Sequence, residues 1–292
     1  MTSQSNTAID EAELIEQVVN AERYPLTRPG EGGWTAAVEA ARTELREQGC
    51  TVLRDFVRPQ LRDRIGAEGA SVAGHAYDDV VTVNVYNTAP DPDLPEDHPA
   101  RVPMQRGNAF VAHDRIPAGF VIHRLYAGEL FQRFLAECLE VERIHPLADP
   151  LAGLCLNIVE PGKEHPWHFD TNEFAVSMLT QLPEAGGEFE YCPNIRSDGA
   201  ENLADVRAVI TGDRTLVRTL TLRPGDLQLF RGRFSLHRVS PVRGVVARHT
   251  AIFSYSLTPG LVGRPERTRQ LFGRLTDVHR AAAGTRSDDL LD

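Results

Sequence analysis

The pattern of apolar and polar positions gives the chain two textures. In the first half, apolar residues recur at helical spacing. Ile9, Leu14, Ile15, Val18 and Val19 form one stripe within 9–21, which predicts a short amphipathic helix. Pro25, Pro29 and the stretch from Gly30 to Gly33 break it, and a second helix is expected from Thr35 as N-cap to about Gln48, with Gly49 behind it. Cys50 to Phe56 reads as a strand, and Pro59 opens the next helix. Val80 to Tyr86 alternates as a strand does, while the proline- and acid-rich residues 89–103 read as a long surface loop of the kind that forms lids. A stripe through Leu125, Leu130, Phe134 and Leu135 predicts the longest helix over 122–139.

After Pro150 the period shortens. The runs LAGLCLNIV, HPWHF, FAVSMLTQL, GEFEY, TLVRTLTL, DLQLF, SLHRV and HTAIFSYSL are β-rich and separated by turn residues such as Pro161-Gly162, Gly186-Gly187 and Pro224-Gly225. Many short strands at close spacing predict a sandwich or barrel. The expected organisation is one unit over 1–292: a helical and mixed portion at 1–149, a β-rich core at 150–258, and an extension at 259–292. The extension is expected to be helical after Gly273 and then to fray, and the first few residues read as a disordered tail.

Composition changes this picture little. The apolar fraction of 41% and charged fraction of 25% are those of a soluble globular protein, and a net charge of −10 argues against a nucleic-acid partner. Lys163 is the single lysine, so nearly all positive charge is arginine. Cys50, Cys138, Cys155 and Cys192 lie far apart with no CxxC pair, which predicts buried small hydrophobes and neither a zinc ribbon nor a disulfide scaffold. No apolar run approaches the ~18 residues of a membrane span, and no basic-then-apolar leader is present. A cytoplasmic protein with no membrane partner is expected.

The candidate chemistry begins at His168-Phe169-Asp170. On a strand, residues i and i+2 share a face, so this imidazole and carboxylate reach one ion from one side. Alone, the triplet is equally a polar pair at a strand end. Downstream, His237 lies on another strand, and Arg248 opens an apolar run eleven residues later. Two histidines and one carboxylate suit Fe(II) and leave open positions. A guanidinium offers two parallel charge-assisted bonds to a carboxylate, and a lone charge leading an apolar strand is costly without such a role.

The order HxD, distal histidine, arginine over about 150–258 resembles the Fe(II)/2-oxoglutarate oxygenase superfamily. The runs WHF, NxF, VSMLTQLPE, GGEFEY, ENLADV and LQLFRGRFSLHRV resemble its bacterial branch that hydroxylates or halogenates free amino acids, including the lysine halogenases. The resemblance implies a mainly β fold with α decoration, in which a double-stranded β-helix (jelly-roll, cupin-like) core is flanked by N-terminal helices. It implies Fe(II) held by His168, Asp170 and His237, 2-oxoglutarate and O2 as cosubstrates, and Arg248 on the distal carboxylate of 2-oxoglutarate. Asn157 is either a second 2-oxoglutarate contact or an ordinary buried amide. His165 matches a substrate-holding histidine of the halogenases. Arg106 is either a counterpart of their arginine for the substrate carboxylate or a solvated loop charge. Where those halogenases carry a small residue, leaving a place for chloride, this chain has Asp170, so hydroxylation of a small molecule is expected.

Two other readings remain open at this level: an oxygenase acting on a protein side chain, as prolyl hydroxylases do, and a cupin-like protein that binds metal without turnover. The remaining histidines (His75, His98, His113, His123, His145, His249 and His279) show no ligand spacing to the triad. Trp167 is expected to face away from His168 as core or wall.

Overall fold

In the computed structural model, which describes residues 11–13 and 15–281, two antiparallel sheets carry the β-rich half. Their strands are β1 (Cys50–Leu53), β2 (Ala109–Val111), β3 (Leu154–Val159), β4 (His165–His168) and β5 (Ala175–Gln181). They continue with β6 (Phe189–Cys192), β7 (Arg218–Leu220), β8 (Leu227–Phe230), β9 (Leu236–Val239) and β10 (Arg248–Phe253). The larger sheet has the order β1-β8-β5-β10-β3-β2 and the smaller one β7-β6-β9-β4. The helices are α1 (Gly32–Gln48), α2 (Arg62–Val72), α3 (Val121–Ala127), α4 (Glu129–Cys138), α5 (Leu203–Ile210), α6 (Pro265–Phe272) and α7 (Asp277–Ala281).

The two-residue period of the larger sheet decides what lies on each side of it. Leu154, Leu156 and Ile158 on β3, Val176 and Met178 on β5, and Leu227 and Leu229 on β8 join one apolar cluster with Trp34, Val38, Phe131 and Phe134 of α1 and α4. Each such side chain removed from water contributes roughly 1.5–3 kcal/mol. The alternate residues, among them Asn157, Ser177, Gln228, Arg248 and Thr250, line a cavity on the opposite face. Leu179 and Phe230 of the larger sheet meet Phe189, Tyr191 and Val239 of the smaller one in another apolar cluster, so the two sheets face each other across that cavity. α1 and α4 therefore back the sheet, and its polar positions are kept for the interior.

Several expected elements differ in extent. The helix predicted over 9–21 is seen at 11–13 and 15–18, and it stops where Val19 bridges Val57. α1 starts at Gly32 with Glu31 before it, and Thr35 lies inside, its N–H donating to the Glu31 carbonyl at 2.9 Å. It ends at Gln48 as expected, Gly49 taking the left-handed φ of 64°. β1 stops at Leu53, because Asp55 has φ 53° and its N–H turns to Asp226. Pro59 opens a single 3₁₀ turn, which leads into α2. Of 80–86 only Val81–Val83 is strand, since the Asn84 side chain accepts the Tyr86 N–H at 2.8 Å and forms a turn.

The helix expected over 122–139 is two. Gly128 is extended at φ −72°, ψ 130°, and the Glu11 carboxylate caps the Leu130 N–H at 2.7 Å, starting α4 anew. Among the described residues the longest helix is α1, with 17 residues. TLVRTLTL contributes only Arg218–Leu220. β2 and α6 were not expected, whereas α7 follows Gly273 as predicted. The expected tails at both ends fall outside the described residues. All four cysteines are free and buried, and burial pushes each thiol up to about 12. No helix among the described residues is long and apolar enough to cross a membrane.

Candidate metal centre and cosubstrate pocket

β9 and β4 are antiparallel neighbours in which His237 lies directly opposite His168. Cross-strand partners have adjacent side chains, and the two rings are 4.1 Å apart between centroids. The His168 Nδ1–H donates to the Pro166 carbonyl at 2.8 Å, and the His237 Nδ1–H donates to the Ser235 carbonyl at 3.0 Å. A carbonyl only accepts, so both rings are fixed as the tautomer that leaves Nε2 with a free lone pair. Asp170 closes the group, with Oδ1 at 3.8 Å from His168 Nε2 and 3.5 Å from His237 Nε2. Among the described residues these three form the one cluster of potential metal ligands, their ligand atoms all within 4.8 Å of one another.

Asp170 is held by its surroundings. Its N–H donates to the Gly232 carbonyl at 3.1 Å, and the preceding Phe169 N–H donates to Val85. The Phe169 ring stacks on Tyr86, with the Arg196 guanidinium 3.8 Å from its centroid. That anchor turns His168 and Asp170 to the same side. A Cβ on Gly232 would sit 1.9 Å from Asp170 Oδ2, so only glycine leaves the carboxylate its place. Burial pushes the Asp170 carboxyl up, but His237, then His168 and Arg267, outweigh it and hold the group at about 2. Burial keeps the His168 imidazole well below its usual range, hence neutral. Neutral imidazoles beside an ionised carboxylate are the donor set that Fe(II) takes, so the residues present fit that ion.

The cavity behind the triad has a volume of about 340 Å³. Arg248 and Thr250 alternate onto it from β10, and the Arg248 guanidinium donates to the Thr250 hydroxyl. Burial alone pulls Arg248 down to about 10, and no carboxylate among the described residues pairs with it. Asn157 on β3 sits opposite Thr250 in register and accepts from Asn108 Nδ2 at 3.2 Å. His165 stacks on His168 at 3.7 Å, its Nε2 buried without a partner. His168, Asp170, His237, Arg248, Asn157 and His165 thus share one cavity.

Arg106 does not line it. That side chain is 1% exposed and donates from Nη2 to the Gln270 carbonyl of α6 at 3.2 Å. Besides Arg248, the arginines on the wall are Arg267, on the unexpected helix α6, and Arg264, which precedes it. A pocket-facing stripe of Arg267, Thr268, Leu271 and Phe272 was the available signal. Trp167 faces the other way, under Arg238 and Arg214, which Glu190 bridges. The other histidines stand apart from the triad: His113 meets His123 at 3.2 Å, and His279 meets Asp149 at 2.9 Å.

Solved structures show which class has this fold. The chain is similar to AviO1 from Streptomyces viridochromogenes Tue57, with 20% identity, 78% of this chain and 97% of that chain covered, and a TM-score of 0.51. It is also similar to SnoK, a non-heme alpha ketoglutarate dependent carbocyclase from nogalamycin biosynthesis, with 15% identity, 76% and 87% covered, and a TM-score of 0.50. No curated protein matches the chain. The Halogenase D family model matches residues 34–262, most of the length, and the chain belongs to that family. The chain is thus a member of a halogenase family with the fold of a non-heme alpha ketoglutarate dependent enzyme, and its three converging side chains fit Fe(II).

Proposed function

We propose that the chain hydroxylates an unactivated C–H of a small molecule, a free amino acid or an intermediate derived from one, releasing succinate and CO2. The observation that carries this reading is the Asp170 carboxylate converging with His168 Nε2 and His237 Nε2. In a halogenase a small residue there would leave a place for halide. Here the place is filled, and Gly232 leaves room for the carboxylate that fills it. The two facing sheets are read as a double-stranded β-helix, and the whole chain as one cytoplasmic oxygenase unit.

His168, Asp170 and His237 would hold Fe(II), which supplies the oxygen chemistry when bound. Arg248, steadied by Thr250, takes the distal carboxylate of 2-oxoglutarate in a buried site where the charge pair is little screened. Asn157 borders the same anion. His165 presents an unsatisfied Nε2 toward bound ligand from beside the first metal ligand. The chain's contribution is to orient the target C–H and to exclude water.

Mixing the protein anaerobically with Fe(II) and 2-oxoglutarate should give a visible charge-transfer band that Arg248→Ala weakens. With O2, chloride and a panel of amino acids, product masses should show added oxygen. A chlorinated product from the wild-type protein would overturn the hydroxylase reading, and a missing band would favour a non-redox metal binder.

A further inference from the structure

Asp170 lies two residues past His168, where β4 ends, so no ladder fixes the turn that carries it. The turn is held instead by four hydrogen bonds, all to its backbone. The Phe169 N–H donates to the Val85 carbonyl and the Asp170 N–H to the Gly232 carbonyl, each at 3.1 Å. The carbonyls of the residues flanking Asp170 accept from side chains. Asn87 Nδ2 reaches that of Phe169 at 3.1 Å, and Arg233 Nη1 reaches that of Thr171 at 3.1 Å.

Arg233 is the costlier of these two donors. It is 0% exposed, and a guanidinium is expensive to bury. A second buried arginine braces it: Arg196 donates from Nε to the Arg233 carbonyl at 2.6 Å, and from Nη1 to both Glu201 oxygens at 3.1 Å. Glu201 also accepts the Tyr86 hydroxyl at 3.4 Å, and Tyr86 stacks on Phe169. The path from Arg233 through Arg196, Glu201 and Tyr86 therefore returns to the residue before Asp170. Three of the runs that carry the resemblance, WHF, ENLADV and LQLFRGRFSLHRV, supply Phe169, Glu201 and Arg233 to this cluster. Apolar side chains of similar volume often stabilise a fold as well as a buried ion cluster does, so stability alone does not account for it. What apolar packing cannot supply is a directed bond to the Thr171 carbonyl.

We propose that Arg233 is a positioning residue for the metal site. It pins the Thr171 carbonyl while Asn87 pins that of Phe169, and the Asp170 carboxylate is thereby kept on the side of His168 and His237. The inference rests on reading those three residues as the metal ligands. Because the bonds go to backbone atoms, the carboxylate oxygens are left for the ion. Removing one donor frees the peptide between Asp170 and Thr171 to rotate and lets the carboxylate swing away from the two imidazoles.

The test titrates the full chain anaerobically with Fe(II), well below its melting temperature. Arg233→Met removes the donor, and iron affinity should fall about 10–100-fold, the loss that follows when a partner behind a metal ligand is taken away. With 2-oxoglutarate added, the visible band should shift, since a displaced Asp170 changes the donors around the iron. Arg233→Lys returns one N–H donor and should recover part of the affinity. Asn87→Gly keeps the left-handed φ of 60° and removes the donor to Phe169, so it should weaken iron binding too, by a smaller factor. It carries the test if Arg233→Met does not fold. Unchanged iron affinity and band position in the variants that fold, with only a lower melting temperature, would make the cluster purely structural and overturn the proposal. If the wild-type protein takes up no Fe(II), the metal reading itself fails and this inference fails with it.

Discussion

The cavity has two unlike walls. One is made of strands: β4 and β9 place His168 and His237 by register, and β10 and β3 place Arg248, Thr250 and Asn157 by alternation. The other is the segment 261–272, which runs along the cavity edge into α6 and is held by Phe272, buried against Phe110 and Leu151, and by polar contacts at Asp149 and Arg106. In the sheets each position is fixed by several hydrogen bonds of a ladder, so side chains there are suited to hold the proposed metal and a constant cosubstrate. A helix held by side chains at its margins can change its inward stripe without disturbing the ladders. On this view the strand wall serves the chemistry that the family shares, and the helical wall serves discrimination.

Substitutions should separate the two walls by what they change. The largest effect is expected from Asp170→Ala: iron affinity and substrate oxidation should fall by more than about 100-fold, beyond the cost of losing an outer-shell partner. Metal titration with succinate release checks it, and a normal melting temperature would place the loss in the site. Gly232→Ala comes next, since its Cβ would collide with Asp170 Oδ2. Iron affinity should drop about 10–100-fold although no ligand is removed. Unchanged affinity would mean that Asp170 does not bind where it now lies. Arg248→Gln should raise KM for 2-oxoglutarate by about 30-fold, as expected for an unpaired buried carboxylate, with iron affinity unaltered. A comparable loss of iron in that variant would merge the two functions of the strand wall.

One wall is legible in the sequence and the other is not, for a physical reason. His168, Asp170, His237 and Arg248 are found through the order that resembles the superfamily, and alternation then gives the strand residues their faces, while Asp170 lies just past the end of β4. Asn157 is equally readable as part of β3. The helical wall lacks such a rule: α6 has only eight residues, and its sequence PERTRQLF is polar enough to pass for surface. Arg267 looks like one more arginine in a chain whose positive charge is almost all arginine. Arg106 is raised only by the resemblance, and its direction depends on a three-residue strand, Met104–Arg106, too short to orient from sequence. The break at Gly128 is hidden likewise, because its cap is Glu11, more than a hundred residues away.

Asp149 offers the finest division between the walls, because it anchors the segment 261–272 from outside the cavity. Its Oδ1 accepts the Leu151 and Ala152 N–H groups at 2.8 Å, and its Oδ2 accepts the Gly263 N–H at 3.0 Å and His279 Nε2 at 2.9 Å. The Thr276 N–H points at His279 Nδ1, which makes Nε2 the protonated nitrogen and the donor to Asp149. Burial pushes the Asp149 carboxyl up, but the backbone donors and His279 outweigh it, so its folded pKa lies below the ordinary carboxylate value. The unfolded chain then takes up the proton first as pH falls. The stabilisation is present above the ordinary carboxylate range, and it is lost as pH drops through the folded value. In Asp149→Asn an amide nitrogen would face N–H donors on one side, at a cost of about 3 kcal/mol near neutral pH. The melting temperature should fall by several degrees, and the gap to wild type should narrow as both are taken below about pH 4. Iron and 2-oxoglutarate affinities of the folded variant should match the wild type while its discrimination among substrates relaxes. If instead the metal is lost together with the anchor, the two walls are one mechanical unit and the division drawn here fails.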